Sequence, residues 1–376
     1  MITRILESLI TERLFSGKSI LLLGPRQVGK TTLIRQLFEN NRDKAVWINA
    51  DNIEDRELLN NLNSTRAIEL FPPGRIVFID EAQRIENSGL TLKIIHDSCS
   101  GIQLIATGSS SFELTDKIKE SLTGRKWSFR LLPVSFREIL DHTNFMELNR
   151  SLETRMIYGS YPEIITQAGK EREILSELVS DYLYRDLFSL REVRKPDILE
   201  KIAKALSFQV GNQVSNRELA KLVQVDKETV DKYIYLLEQA FIIFSLPSFS
   251  RNLRSELKRS RKIYFYDNGI RNALINQFNP LPLRQDAGAL WENLMISERI
   301  KRNEYERKYC NSYFWRTHGQ QEIDYIEEYD GQLQAYEFKW QPGRSGKSGA
   351  TFLESYPGSD YQEINRENFY DFVLKD

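Results

Sequence analysis

Between Ser19 and Thr32 an apolar run ends in Gly24, and after four further residues come Gly29, Lys30 and Thr31. This spacing fits G-x-x-x-x-G-K-[ST], and few local patterns constrain a fold as tightly. Residues 20–23 read as a buried strand and residues 32–38 as the start of a helix. Glycines let the connecting loop wrap closely, so that its N–H groups and the helix N-terminus surround a polyphosphate. Lys30 would reach the β- and γ-phosphates, and the Thr31 hydroxyl would help hold Mg²⁺. The pattern therefore assigns Gly24, Pro25, Arg26, Gln27, Val28, Gly29, Lys30, Thr31 and Thr32 to nucleotide binding, with a nucleotide polyphosphate and Mg²⁺ as the expected ligands.

More strands should follow this one. Residues 45–49 form an apolar stretch that leads to Asp51, and residues 75–79 form another that ends in Asp80-Glu81. Unbroken β-branched runs are what a parallel strand covered on both faces requires, and such sheets place ligands at the C-terminal strand ends. Asp80 is the expected Mg²⁺ ligand and Glu81 the group that polarises the attacking water. The plainer alternative is a strand-end cap. Residues 102–106 lead to Thr107-Gly108-Ser109, where a hydroxyl can sense the γ-phosphate; Ser109 is the first choice and Thr107 the second. Arg125 precedes a further strand at 126–131. It can serve as an arginine finger on a neighbouring copy, which implies self-association, or as one half of a solvated salt bridge.

At 376 residues the chain has room for two to four domains, and its formal net charge of −1 argues against coating nucleic acid by overall charge. Two cysteines, Cys99 and Cys310, are too few for a disulfide framework. No apolar stretch approaches the ~18 residues needed to span a bilayer, and the N-terminus lacks a signal-peptide core. The expectation is a cytoplasmic protein without a membrane partner.

Helical patterns cover 151–158, 170–190 and 198–208, with Tyr161-Pro162 breaking the first from the second. Ser215-Asn-Arg-Glu218 has the spacing of a capping box and opens a short helix, 217–223; Asp226 caps the next, 227–240. An apolar strand at 241–245 follows. Helix, turn, helix, strand is the order of a winged helix. The segment expected to form the wing, 251–262, carries six cations against one acid. Those cations would suit DNA phosphates. Asp226, Glu228 and Asp231 against Lys227 and Lys232 on the expected recognition helix suit a packing module equally well.

Near the C-terminus two alternating runs, 322–329 and 332–340, flank Asp330-Gly331, a strong two-residue hairpin signal. Pairing Tyr329 with Gln332 sets Asp324 opposite Glu337 and Glu322 opposite Lys339. Facing Cβ atoms would lie about 5 Å apart, and two like charges there destabilise a sheet. A divalent metal, Mg²⁺ or Mn²⁺, held by Asp324 and Glu337 would resolve the conflict, with Lys339 on the same face to stabilise developing charge. The alternative is a salt-bridged hairpin in which Lys339 pairs with Glu322.

The segments GPRQVGKTT, RIVFIDEAQRI, LIATGSSSFEL, LTGRKWSFRLLPVSFREIL and YGSYPEII together resemble a prokaryotic family of AAA+-like ATPases. The D…E-x-K arrangement resembles the PD-(D/E)xK nuclease superfamily, and Glu292 on a helix over 289–302 matches the acidic residue placed before that sheet. The resemblance implies an α/β chain: a P-loop NTPase parallel sheet (1–142), a helical lid (143–205), a winged helix (206–275) and a small restriction-endonuclease-like α/β domain (283–376). It implies ATP hydrolysis by the residues named above. DNA is the expected partner, cleaved with metal at Asp324, Glu337 and Lys339 with Glu292 in support. The alternative is a regulatory ATPase whose C-terminal modules bind protein and cut nothing.

Overall fold

Six consecutive buried residues, Ser19–Gly24, form strand β1 at the heart of a parallel sheet in the computed structural model. The structure describes residues 2–109, 121–181, 187, 193–249, 261–317, 319–342 and 347–374. Contacts divide the chain into two compact units, Met1–Pro133 with Gln239–Phe241, and Val134–Glu238 with Ile242–Asp376.

In the first unit, helix α1 (Ile5–Thr11) precedes β1, and α2 (Lys30–Glu39) follows it. Then come β2 (Ala45–Asn49), α3 (Ile53–Leu59), α4 (Ser64–Leu70), β3 (Ile76–Asp80), α5 (Ser88–Ser98), β4 (Gln103–Ser109) and β5 (Lys126–Arg130). The five strands lie in the order β2-β3-β4-β1-β5, all parallel. Strands β1, β3 and β4 are buried along their whole length, as their apolar sequences require, whereas the edge strands β2 and β5 are partly exposed. Val77, Ile79, Leu104 and Ala106 pack with Leu92 and Ile95 of α5 on one side. On the other, Phe38 of α2 meets Trp47 and Phe78 edge-on. This is an α/β, P-loop NTPase sheet.

The second unit begins with α6 (Phe136–His142), capped by Ser135 and Glu138 in a full capping box. Helices α7 (Phe145–Tyr158), α8 (Pro162–Thr166) and α9 (Glu171–Asp181) follow; the rest of the helix expected to reach residue 190 lies largely outside the described residues. Next come α10 (Pro196–Phe208), β6 (Gln213–Val214), α11 (Asn216–Val223), α12 (Lys227–Gln239), β7 (Ile243–Pro247) and β8 (Arg261–Phe265). Strands β6, β8 and β7 form an antiparallel sheet in that order. Strand β7 starts two residues later than expected because Phe241 takes a left-handed conformation, φ 53°. Ser215 caps α11 and Asp226 caps α12, through bonds to the Glu218 and Thr229 N–H groups. Residues 251–260 of the expected wing lie outside the described residues.

After α13 (Asn268–Leu274) and the long α14 (Ala287–Tyr305) come β9 (Asn311–Arg316), β10 (Glu322–Tyr329), β11 (Gln332–Phe338), α15 (Lys347–Ser355), β12 (Asp360–Ile364) and α16 (Phe369–Val373). The second sheet of this unit has the order β12-β11-β10-β9, with β12 parallel to β11 and the other pairs antiparallel. Asp330 and Gly331 both have positive φ, 49° and 77°, as a two-residue primed turn demands. Tyr329 pairs with Gln332, and the ladder continues to Tyr325 and Tyr336. Ile323, Ile326, Ala335, Trp315 and Phe352 form the core beneath it. Among the described residues no helix is long and apolar enough to cross a membrane.

Candidate functional site

The parallel ladder sets Gly24, the last residue of β1, opposite Ser109, the last of β4, while β3 runs along the far side of β4. The C-terminal ends of the three strands thus meet, and the phosphate-loop pattern, the acidic pair and the hydroxyls all arrive there. Gly24 is obligatory: a Cβ on it would stand 2.1 Å from the Leu131 carbonyl oxygen. Gln27 and Gly29 are left-handed, φ 55° and 98°, and Gly29 hands the chain into α2. Such a loop turns successive N–H groups toward one concavity at the positive end of a helix. Lys30 is only 5% exposed, and its ammonium donates to the Gly24 and Pro25 carbonyls at 3.0 and 2.8 Å. Beneath the loop the buried Arg4 donates to the carbonyls of Val28 at 2.7 Å and Leu132 at 2.6 Å. Sequence reasoning missed this brace, because a lone arginine in a mixed N-terminal helix carries no signal for a partner so distant in the chain.

Asp80 and Glu81 lie at the end of β3, as expected, and the structure adds the residues that hold them. Thr107 donates its hydroxyl to Asp80 Oδ1 at 2.5 Å, and Thr107 Oγ1 also accepts the Glu81 N–H at 3.1 Å. Gln83 donates from Nε2 to Ser109 Oγ at 2.8 Å and also to the Glu81 carboxylate. The Thr31 hydroxyl and the Asp80 carboxylate are hard oxygen donors of the kind Mg²⁺ takes, so the residues present fit that ion. Arg125 sits at the opposite end of the sheet: its carbonyl accepts the N–H of Ser19, the first residue of β1. Its exposed guanidinium donates to Asp97 at 2.9 Å, and the structure does not bring it to this chain's own phosphate loop.

In the second unit the expected hairpin site is organised differently. The Asp324 and Glu337 carboxylates have separate partners. Asp324 Oδ2 accepts the Phe338 N–H at 2.9 Å, whereas Glu337 pairs with Lys339 and accepts the Tyr361 hydroxyl at 2.7 Å. What answers the charge on Asp324 is a side chain from another strand. Lys262 of β8, 1% exposed, lies 3.2 Å from Glu292 Oε1 and 3.6 Å from Asp324 Oδ1, and pairs with Glu322. The Tyr264 hydroxyl donates to Glu292 at 2.5 Å. Glu292 therefore does join Asp324, but around an ammonium. Burial, then Glu292, pushes the Asp324 carboxyl up to about 7 against the opposing pull of Lys262. Burial alone would lower the Lys262 pKa, but Glu292, Asp324 and Glu322 hold it above its ordinary value.

These contacts correct three expectations. The Asp324 and Glu337 carboxylates turn to different partners, and Lys262 stands 3.6 Å from Asp324 Oδ1 where a shared divalent ion is expected. The alternative pair fails too, since Lys339 is bonded to Glu337 and Glu322 to Lys262 and Arg316. Finally, Lys262 is not a phosphate-facing wing cation, although Arg261 beside it is partly exposed. Lys262 is buried, and Arg261 lies 3.8 Å from Asp231 of α12.

Residues 16–140 match the model of an AAA domain, and residues 149–281 and 287–373 match two domains of unknown function, DUF8612 and DUF4143. An uncharacterized protein of Methanocaldococcus jannaschii is 27% identical over 338 residues, covering 84% of this chain and 73% of that protein. One from Mycobacterium bovis is 26% identical over 329 residues, covering 85% and 70%. Among solved structures, the Aeropyrum pernix Orc1 protein in complex with DNA aligns with 73% of this chain and 93% of its own at 14% identity, with a TM-score of 0.37. The parallel sheet, the phosphate loop and the AAA match agree on one conclusion: the chain carries a P-loop, AAA+-like ATPase domain at its N-terminal end.

Proposed function

We propose that this chain binds ATP·Mg²⁺ at residues 24–32, hydrolyses it with Asp80 and Glu81, and uses the nucleotide state to control DNA engagement by its second unit. The observation that carries the first part is the convergence of Gly24, Asp80 and Ser109 at adjoining strand ends. In this reading Lys30 exchanges the loop carbonyls for phosphate oxygens, Thr31 and Asp80 hold the metal, Glu81 orients water and Ser109 reads the terminal phosphate. Purified protein should hydrolyse ATP, and Lys30→Ala should lose at least tenfold in rate. Normal ATP binding and hydrolysis by that variant would sink the assignment.

The element order α10-β6-α11-α12-β7-β8 supports a winged helix, and residues 251–260 retain four cations against one acid for phosphate contact. The four-stranded module resembles a nuclease in sequence, yet Lys262 among Glu292, Glu322 and Asp324 favours binding without cleavage. DNA shift assays with and without ATP analogues, and nicking assays in Mg²⁺ or Mn²⁺, separate the outcomes. Salt-sensitive DNA binding without cleavage is expected; cleavage abolished by Asp324→Ala would restore the nuclease reading. A protein that binds no DNA in any nucleotide state would point to protein partners instead. Arg125 acts in trans only if ATP-bound protein self-associates, which sedimentation would reveal.

A further inference from the structure

Gln83 falls outside the residues assigned above to nucleotide chemistry, yet its side chain connects two of them. Asp80 ends β3, and Glu81 is left-handed, φ 53°, which reverses the chain into the short 3-10 turn Ala82–Arg84. The reversal returns Gln83 to the end of β4, where Nε2 donates to Ser109 Oγ at 2.8 Å and to the Glu81 carboxylate. A primary amide has two N–H groups, and here each has an acceptor. The amide oxygen pays for this arrangement: Oε1 is buried with no hydrogen-bond partner among the described residues. Leaving a buried acceptor unpaired carries a desolvation cost, so the two donor contacts are made at the expense of the amide oxygen. Ser109 in turn lies opposite Gly24, the first residue of the phosphate loop.

A glutamate side chain has several rotatable bonds, and a group that must meet one water molecule gains rate when its position is set in advance. We propose that Gln83 is a positioning residue for ATP hydrolysis, tying the Glu81 carboxylate to the Ser109 hydroxyl so that phosphate sensing and water activation are a single event. The proposal rests on reading Glu81 and Ser109 as nucleotide-site residues. Gln83 touches no phosphate in this scheme; it acts through Glu81.

The test is a double-mutant cycle in the full chain with Gln83→Ala, Ser109→Ala and the double variant, measuring kcat, KM and the affinity for a non-hydrolysable ATP analogue. Each single change should lower kcat at least tenfold while analogue affinity stays within twofold. The double variant should be no slower than the worse single by more than threefold, because one linkage has been cut twice. Ser109→Thr, which keeps the hydroxyl, should retain kcat within threefold. If Gln83→Ala folds poorly, Gln83→Met keeps the length of the side chain and removes both donors. A kcat within twofold of the parent for a folded Gln83 variant, or losses that multiply in the double, would overturn the proposal while leaving the ATPase assignment intact. Parent protein that hydrolyses no ATP would overturn both.

Discussion

Thr107 holds Asp80 at 2.5 Å through its hydroxyl, and with the same oxygen accepts the backbone N–H of Glu81 at 3.1 Å. One side chain on β4 therefore governs the carboxylate at the end of β3 and the turn that follows it. Thr107→Val keeps the shape and deletes the oxygen, leaving a buried acceptor and a donor without partners. The expected cost is about 1–3 kcal/mol in equilibrium denaturation. ATPase activity should fall further than in a variant of equal instability elsewhere in the unit.

Gly24→Ala places a methyl group 2.1 Å from the Leu131 carbonyl oxygen, a backbone atom that cannot swing away. Destabilisation of about 3 kcal/mol is expected, with loss of nucleotide binding. Gly124, also at positive φ but with open space around its Cβ position, makes the control: Gly124→Ala should cost about 1 kcal/mol and leave ATP binding unchanged. Thermal unfolding with and without ATP measures both.

Removing the buried cation should be more damaging than removing any one of its acids. Lys262→Met leaves Glu292, Glu322 and Asp324 together without their ammonium. Loss of about 3–5 kcal/mol is expected. Adding Glu322→Gln to that variant should restore part of it, and urea titrations would show the reversal. Equal stability of Lys262→Met and the parent protein would mean that the cluster is not formed in solution.

The same cluster gives a pH signature. Burial, followed by Glu292, raises the folded-state pKa of Asp324 to about 7, from an unfolded value near about 3.9. A raised carboxyl pKa contributes stability that is fully present below the unfolded value and is lost as pH rises through the folded one. The difference in unfolding free energy between the parent and Asp324→Asn should therefore shift against the parent from pH 4 to 7 and level off above. A difference that is flat across this window would contradict the assignment.

What could be read from the chain followed locality. The sheet of the first unit was legible because uninterrupted apolar runs announce buried parallel strands, and the hairpin register was legible because Asp330-Gly331 admits few turns. Gly24 to Thr31 was legible for a related reason: the loop is one continuous segment. In sequence Thr107 reads only as a second sensor candidate and Gln83 carries no signal, since their bonds depend on how β3 and β4 align. Lys262 gives no local sign of its burial. In sequence it closes a basic run, and only the neighbourhood of β8, α14 and β10 turns it from a surface cation into an interior one.

The two matched segments of unknown function divide between residues 281 and 287, and that division runs through a shared interior. Lys262 and Tyr264 fall on one side; Glu292, Glu322 and Asp324 fall on the other. A fragment cut there would leave a stranded ammonium in one half and three carboxylates without it in the other, only Glu322 keeping a cation, Arg316. The two halves should consequently melt in one cooperative transition. Exchanging either with a relative would preserve the fold only if both sides of that charge pattern travelled together.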